Sequence, residues 1–172
     1  LFLGWTLAVG SPMAHARSMA IEQFHAELQV LQNGELLVTE TIRPRFSGSW
    51  NGLMRDIPVE YRTPQGFNYT LCLDVVSITD EHLTPLTFDR SRNRHYQTFK
   101  IWLPGAQDTT KTLILTYKIS NGLKYFEDHD ELYWNVTGNS WDVPIETVQA
   151  IVTLPTNAFK QVACYQGASG ST

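Results

Sequence analysis

Cysteine is scarce in this 172-residue chain, which has two, and charged residues make up only 17% of it. A chain of this length is the size of one ordinary domain and can bury a core without disulfides or metals, so the scarcity of cysteine carries no penalty. Basic residues are outnumbered, 13 Lys and Arg against 17 Asp and Glu, giving a formal net charge of -4 with no basic stripe. That balance argues against a nucleic-acid partner, because nothing in it would neutralise a row of phosphates. There is no Gly-x-Ser-x-Gly elbow, no Asp-x-Asp-x-Asp-Gly calcium loop, no His/Cys spacing of a zinc site and no internal repeat. No long amphipathic helical pattern is present either, which removes helical bundles from consideration.

Aromatic residues, at 12%, are plentiful, and they suit an all-β domain with broad packed surfaces. Residues 1–9 are nearly all apolar and end in Gly10, Ser11 and Pro12, too short a run to span a bilayer. Ala14 and Ala16 place small residues at the -3 and -1 positions before Arg17, the pattern of a secretory signal with cleavage after Ala16 or, as a second choice, Ala20. The expected organisation is therefore a signal over 1–20 and a single domain over 21–172. The closing run of small residues, 167–172, suggests that this domain is cut before a transmembrane segment.

Phe24, Ala26, Leu28 and Val30 alternate with His25, Glu27 and Gln29, the period-two pattern of a half-buried strand. Asn33-Gly34 then predicts a two-residue type I′ turn into a returning strand over 35–42. Residues 46–58, with their glycines, serines and Pro58, read as an irregular loop or edge segment. Further strands are expected over 69–78, in a short edge segment around Leu86, over 99–103, over 113–119, over 148–154 and over 159–165. Short strands at close spacing with turn signals between them predict an antiparallel β-sandwich, immunoglobulin-like or jelly-roll, with a closed barrel as the alternative.

Residues 125–141 concentrate acidic, aromatic and amide side chains. The candidate binding residues are Asp128, His129, Asp130, Glu131, Tyr133, Asn135, Asn139 and Trp141, together with Arg55 and Asp56 from the glycine-containing segment before Pro58. Carboxylate oxygens suit calcium, but five consecutive polar residues cannot all turn toward one ion, so no cofactor is expected and calcium is the cation the turn would take if it took any. No catalytic residue is assigned. The one pairing suited to acid–base hydrolysis is Asp56 with Asp130 or Glu131. The simpler reading is an ion pair in which Arg55 pins its own segment to the acidic turn. Trp50, Trp134, Trp141, Tyr125 and Tyr133 are the candidates for an aromatic surface that takes a sugar ring or a peptide, with a core role as the alternative. Alternation places Leu132, Trp134 and Val136 inward and Tyr133 with Asn135 outward, so Trp134 is expected to be buried and Tyr133 exposed. Cys72 and Cys164 are compatible with one disulfide in an oxidising compartment or with two unpaired thiols.

Three pieces together carry a resemblance: the run from Gly52 to Pro58, the run from Asp128 to Asn139 with Trp141, and Cys164-Tyr165-Gln166-Gly167. They resemble the N-terminal extracytoplasmic domain of YciQ-like predicted bacterial membrane proteins, domain of unknown function 2207. The resemblance implies an exported domain on the extracytoplasmic face of the cell membrane, held there by transmembrane helices downstream. It also implies that a further cysteine beyond the last motif could compete with Cys72 for Cys164. It brings no reaction and no cofactor. The function expected is non-enzymatic, the binding of a protein partner or an envelope component such as a glycan. A carboxylate-dependent envelope hydrolase and a purely structural ectodomain are the alternatives.

Overall fold

In the computed structural model, which describes residues 16–62, 68–93, 95–156, 159–165 and 167, the chain is all-β, and no helix forms among the described residues. The strands are β1 (Ser18–Val30), β2 (Leu36–Ser49), β3 (Gly52–Pro58), β4 (Glu60–Arg62), β5 (Asn68–Thr70), β6 (Cys72–Thr79) and β7 (Phe88–Arg92). They continue as β8 (Tyr96–Trp102), β9 (Gln107–Thr110), β10 (Leu113–Ser120), β11 (Leu123–Tyr125), β12 (Asp130–Leu132) and β13 (Val148–Thr153).

The larger sheet runs β13-β1-β2-β10-β6, with β9 pairing the far end of β2; the smaller runs β3-β8-β7. Two short hairpins, β4-β5 and β11-β12, complete the architecture. Alternation explains the larger sheet directly. Phe24, Ala26 and Leu28 of β1, Leu36, Val38 and Ile42 of β2, and Leu113, Leu115, Tyr117 and Ile119 of β10 are all at most 1% exposed. They share one face, which packs against Leu53, Ile57, Phe99 and Ile101 of the smaller sheet in a single core. The arrangement is a sandwich rather than a barrel.

Several expectations are corrected in detail. The β1–β2 hairpin forms, but Asn33 keeps a negative φ and Gly34 alone takes the left-handed conformation, at 81°. The Gly34 amide donates to the Leu31 carbonyl and the Leu31 amide to the Glu35 carbonyl, so three residues close the hairpin instead of two. Strand β2 continues through Pro44 to Ser49. Proline is tolerated there because the β1 pairing shifts register between Ile21 and Gln23, opposite Pro44 and Arg43. The segment before Pro58 is a regular strand, in unbroken antiparallel register with β8 from Gly52↔Trp102 to Pro58↔Tyr96, and it lies at a sheet edge. The short edge strand falls at β7 rather than around Leu86, and residues 159–165 form no strand. β13 forms where expected but pairs parallel with β1.

Candidate functional site

Strand β3 faces the larger sheet with Leu53, Arg55 and Ile57, so an arginine occupies a position that alternation reserves for an apolar side chain. Arg55 is 1% exposed. An unpaired guanidinium there would be prohibitive, and β2 supplies the answer with Glu40, which sits between Val38 and Ile42 on the inward face and is 0% exposed. The pair is bidentate: Nε donates to Oε2 and Nη2 to Oε1, both at 2.7 Å. Tyr117 on β10 donates its hydroxyl to the same Oε1 at 2.7 Å.

The remaining guanidinium donors leave the sheets. Nη1 donates to the Asp56 carbonyl at 2.8 Å and to the Thr137 carbonyl at 2.7 Å, and Nη2 reaches the Val136 carbonyl at 3.4 Å. All five N–H groups of the side chain thus have acceptors. The planar group also lies 5.2 Å from the Phe24 ring centre and 5.7 Å from that of Trp141, and these two rings meet edge to face. Burial alone would lower the Arg55 pKa, but the Glu40 charge and its hydrogen bonds more than offset this and hold it above the ordinary value. Burial, and then the Glu40 charge, push the Tyr117 phenol well above its usual range.

The loop held by Arg55 is organised from within. Asn135 Oδ1 accepts the Gly138 amide at 3.0 Å, its Nδ2 donates to Asn139 Oδ1 at 2.9 Å, and the Trp141 indole donates to the Thr137 carbonyl at 2.8 Å. Gly138 has φ 76°, and a Cβ at this residue would lie 3.0 Å from Arg55 Nη1 and 3.2 Å from the Asp56 carbonyl oxygen. Only glycine allows the loop to close this tightly over the guanidinium. Trp134 packs its ring on Tyr117 with centres 6.5 Å apart, and its buried indole N–H has no hydrogen-bond partner among the described residues. As alternation implied, Trp134 is partly buried and packs on the core, whereas Tyr133 is 60% exposed and meets Tyr61 edge to face. Thr137, Asn139, Trp141, Val143 and Ile145 line an open cavity of about 240 Å³ beside the loop.

The acidic turn is a separate place. It caps the β11–β12 hairpin, whose Tyr125 lies against Gly34 at the turn between β1 and β2. His129 stacks on Phe126 with ring centres 4.8 Å apart and bonds Asp128 at 2.7 Å, and Lys160 reaches the same aspartate. The His129 bond first, and then the one from Lys160, hold the Asp128 carboxyl below its ordinary range. Asp130 and Glu131 are exposed on β12, where Glu131 faces Lys124 at 3.4 Å.

Arg55 does pin a loop, as expected, but its carboxylate partner is Glu40 and its loop contacts are the carbonyls of Val136 and Thr137, not the acidic turn. Asp56 accepts a hydrogen bond from the Thr98 hydroxyl and is not set beside Asp130 or Glu131. Among the described residues no group of three or more His, Cys, Asp or Glu side chains converges as a metal site would require. Cys72 and Cys164 are both exposed free thiols. Glu40 and Tyr117 escaped the sequence reading, although an acidic residue at an inward position of an alternating strand was a visible signal.

A family model described as predicted membrane protein (DUF2207), N-terminal domain, matches residues 20–171. No curated protein matches the chain. Among solved structures, leukotriene A4 hydrolase from Saccharomyces cerevisiae aligns over 58% of this chain at 12% identity with a TM-score of 0.42, and this chain spans 15% of that protein. The yeast enzyme in complex with bestatin aligns over 58% of this chain at 14% identity with a TM-score of 0.41, with 14% of that protein covered. Likeness at this level bears no inference about function.

Proposed function

The chain belongs to the DUF2207 family of predicted membrane proteins, as an N-terminal domain, and from that premise we propose that it is a non-enzymatic, extracytoplasmic module that binds a protein partner through its pinned loop. The observation that carries this reading is the Glu40–Arg55–Tyr117 hub, which holds the loop by main-chain carbonyls while Tyr133 and Asn139 stay exposed on its outer side. A loop fixed in this way presents Tyr133, Asn139 and the rim of Trp141 with little ordering entropy left to lose on binding. Envelope glycans are the second class of ligand for the same surface, since an aromatic face beside an amide suits a sugar ring.

Hydrolysis receives less support. Asp56 is engaged by Thr98, Asp128 by His129 and Lys160, and Glu131 by Lys124, so the carboxylates are occupied separately rather than paired across one bond. Most of the export signal expected over residues 1–20 lies outside the described residues, which begin at Ala16. Cleavage after Ala16 would leave β1 whole, whereas cleavage after Ala20 would remove residues that pair with β2, so the first site fits the fold better. Attachment to the membrane is assigned to helices downstream of the domain, in keeping with the family's description.

The test is site-specific photo-crosslinking in intact cells producing the full-length membrane protein. A crosslinker at Tyr133 or Asn139 should capture one discrete protein, and the same group at Lys118, on the opposite face of the larger sheet, should not. Capture equal at all three positions, or at none, would remove the binding reading and leave a purely structural ectodomain.

A further inference from the structure

The amide orientations of two asparagines in the pinned loop follow from one main-chain donor. The Gly138 amide can only donate, so the Asn135 atom that meets it at 3.0 Å is the oxygen Oδ1. Asn135 therefore turns its Nδ2 toward Asn139, and the Asn139 atom that receives it at 2.9 Å is in turn Oδ1. That leaves Asn139 Nδ2, with its two N–H donors, on the branch of the amide away from Asn135. Asn139 is exposed, and nothing among the described residues accepts from this nitrogen. The neighbouring groups are already engaged. The Thr137 carbonyl accepts from Arg55 Nη1 and from the Trp141 indole, and the Thr137 hydroxyl donates to the Gly138 carbonyl at 3.2 Å. Of the described side chains that line the open cavity beside the loop, Asn139 alone has donors to give.

The rest of that lining is apolar. Trp141, Val143 and Ile145 pack on the core, and no residue of the lining carries a charge. At about 240 Å³ the cavity is smaller than the roughly 300–1,000 Å³ of a pocket for a drug-sized ligand, and it suits one inserted side chain. A charged group entering it would lose water without gaining a counter-ion, because Arg55 beneath the loop is already neutralised by Glu40.

We propose, on the premise that the pinned loop binds a protein, that the cavity takes one uncharged apolar side chain of that partner while a main-chain carbonyl beside it accepts from Asn139 Nδ2. Asn139 then sets specificity. A donor at the rim demands an acceptor, and a partner that presented an N–H there would meet donor with donor and leave both unpaired. A peptide segment fits this site better than a sugar ring. Stacking a sugar needs an open aromatic face, whereas the Trp141 ring is partly buried against Phe24 and the Arg55 guanidinium. An inserted side chain needs only the apolar recess.

The test repeats the capture in intact cells, with the photo-crosslinker at Tyr133 of the full-length membrane protein, and adds changes at the cavity. Asn139→Asp keeps an oxygen for Asn135 and replaces the outward donors with an acceptor, so capture should fall by about tenfold or more. Ser140→Asp sets the same charge on the next exposed residue and should leave capture unchanged. Val143→Phe fills the cavity and should abolish capture. Both aspartate variants should melt within about 2 °C of the parent, and they decide the matter if Val143→Phe fails to fold. Capture that is equal in Asn139→Asp and the parent, or that falls as far in Ser140→Asp, overturns the proposal and leaves the wider binding reading standing. So does capture that survives a folded Val143→Phe. No capture by the parent removes the binding reading and this proposal with it. A Tyr133 crosslink mapped by mass spectrometry to the chain's own residues also overturns it, and puts an internal segment in the cavity instead.

Discussion

At 2.7 Å, the Arg55–Glu40 and His129–Asp128 contacts are equally short, yet the first pair is 1% and 0% exposed and the second 42% and 76%. The sequence around His129 is dense with charge, whereas Glu40 stands alone between valine and isoleucine two positions away on either side. Energetic weight runs opposite to that density. An exposed ion pair competes with water and salt and contributes about 0–1 kcal/mol at most. A buried one is strongly coupled to its surroundings, because loss of either partner strands the other without solvent. In this domain the ionic chemistry that shapes the loop from Asn135 to Trp141 lies beneath it, and the visible acidic turn is a solvated hairpin tip.

The comparison breaks most easily at Arg55. Arg55→Ala should destabilise the domain by about 3–5 kcal/mol in denaturant unfolding, since Glu40 would be left buried and unpaired. The double variant Arg55→Met with Glu40→Met should recover part of that loss but not all, because the Val136 and Thr137 carbonyls would still lack their donors. Full recovery would reduce the hub to electrostatics alone, and no loss in the single variant would remove it as the pin.

The next effect is alkaline. Burial first, and then the neighbouring Tyr133, push the Tyr61 phenol up to about 12, and Tyr117 is raised further by burial and Glu40. Between the ordinary phenol value near 10 and about 12 the unfolded chain releases these protons while the folded one keeps them, so stability falls as pH rises through that window. Urea midpoints should stay level on approaching pH 10 and drop above it, and a midpoint unchanged at pH 11.5 would mean that both rings are open to water.

The smallest effect belongs to the turn. Asp128→Ala and Asp130→Ala should each shift the melting temperature by no more than about 2 °C at neutral pH. The stabilisation from the lowered Asp128 carboxyl is present above its ordinary value and fades as pH falls below it. A larger shift from either substitution would return the turn to the centre of the structure.

Much of the frame was legible from period alone. The inward residues alternate from Phe24 onward in β1 and along β2 and β10, with one register shift between Ile21 and Gln23, and the hairpin at Asn33-Gly34 stands where its turn residues put it. The edge strand β3 was harder, because Gly52 and Pro58 bound a segment whose pairing is supplied entirely by β8. β13 was visible as a strand but not as a parallel one, since its direction follows from the crossover through residues 133–147 rather than from its own side chains. The hub was hidden for a similar reason. Arg55 invites a nearby carboxylate, Asp56 and the acidic turn offer many, and only the stacking of β2 beneath β3 reveals that Glu40 is the one within reach. Residues 159–165 read as a strand but find no strand to pair with among the described residues, and only Lys160 reaches across, to Asp128.

Strand β1 gathers its partners from both ends of the sequence. Its antiparallel neighbour β2 follows across a three-residue turn, while its parallel neighbour β13 arrives only after residue 147. Closing a loop of that length before any contact rewards it makes the β1–β13 pairing a late and slow event in folding, well behind the hairpin. A chain emerging from its amino end therefore passes through a state in which β1 is the exposed margin of the sheet, and the time spent there sets the window in which two growing chains can pair wrongly.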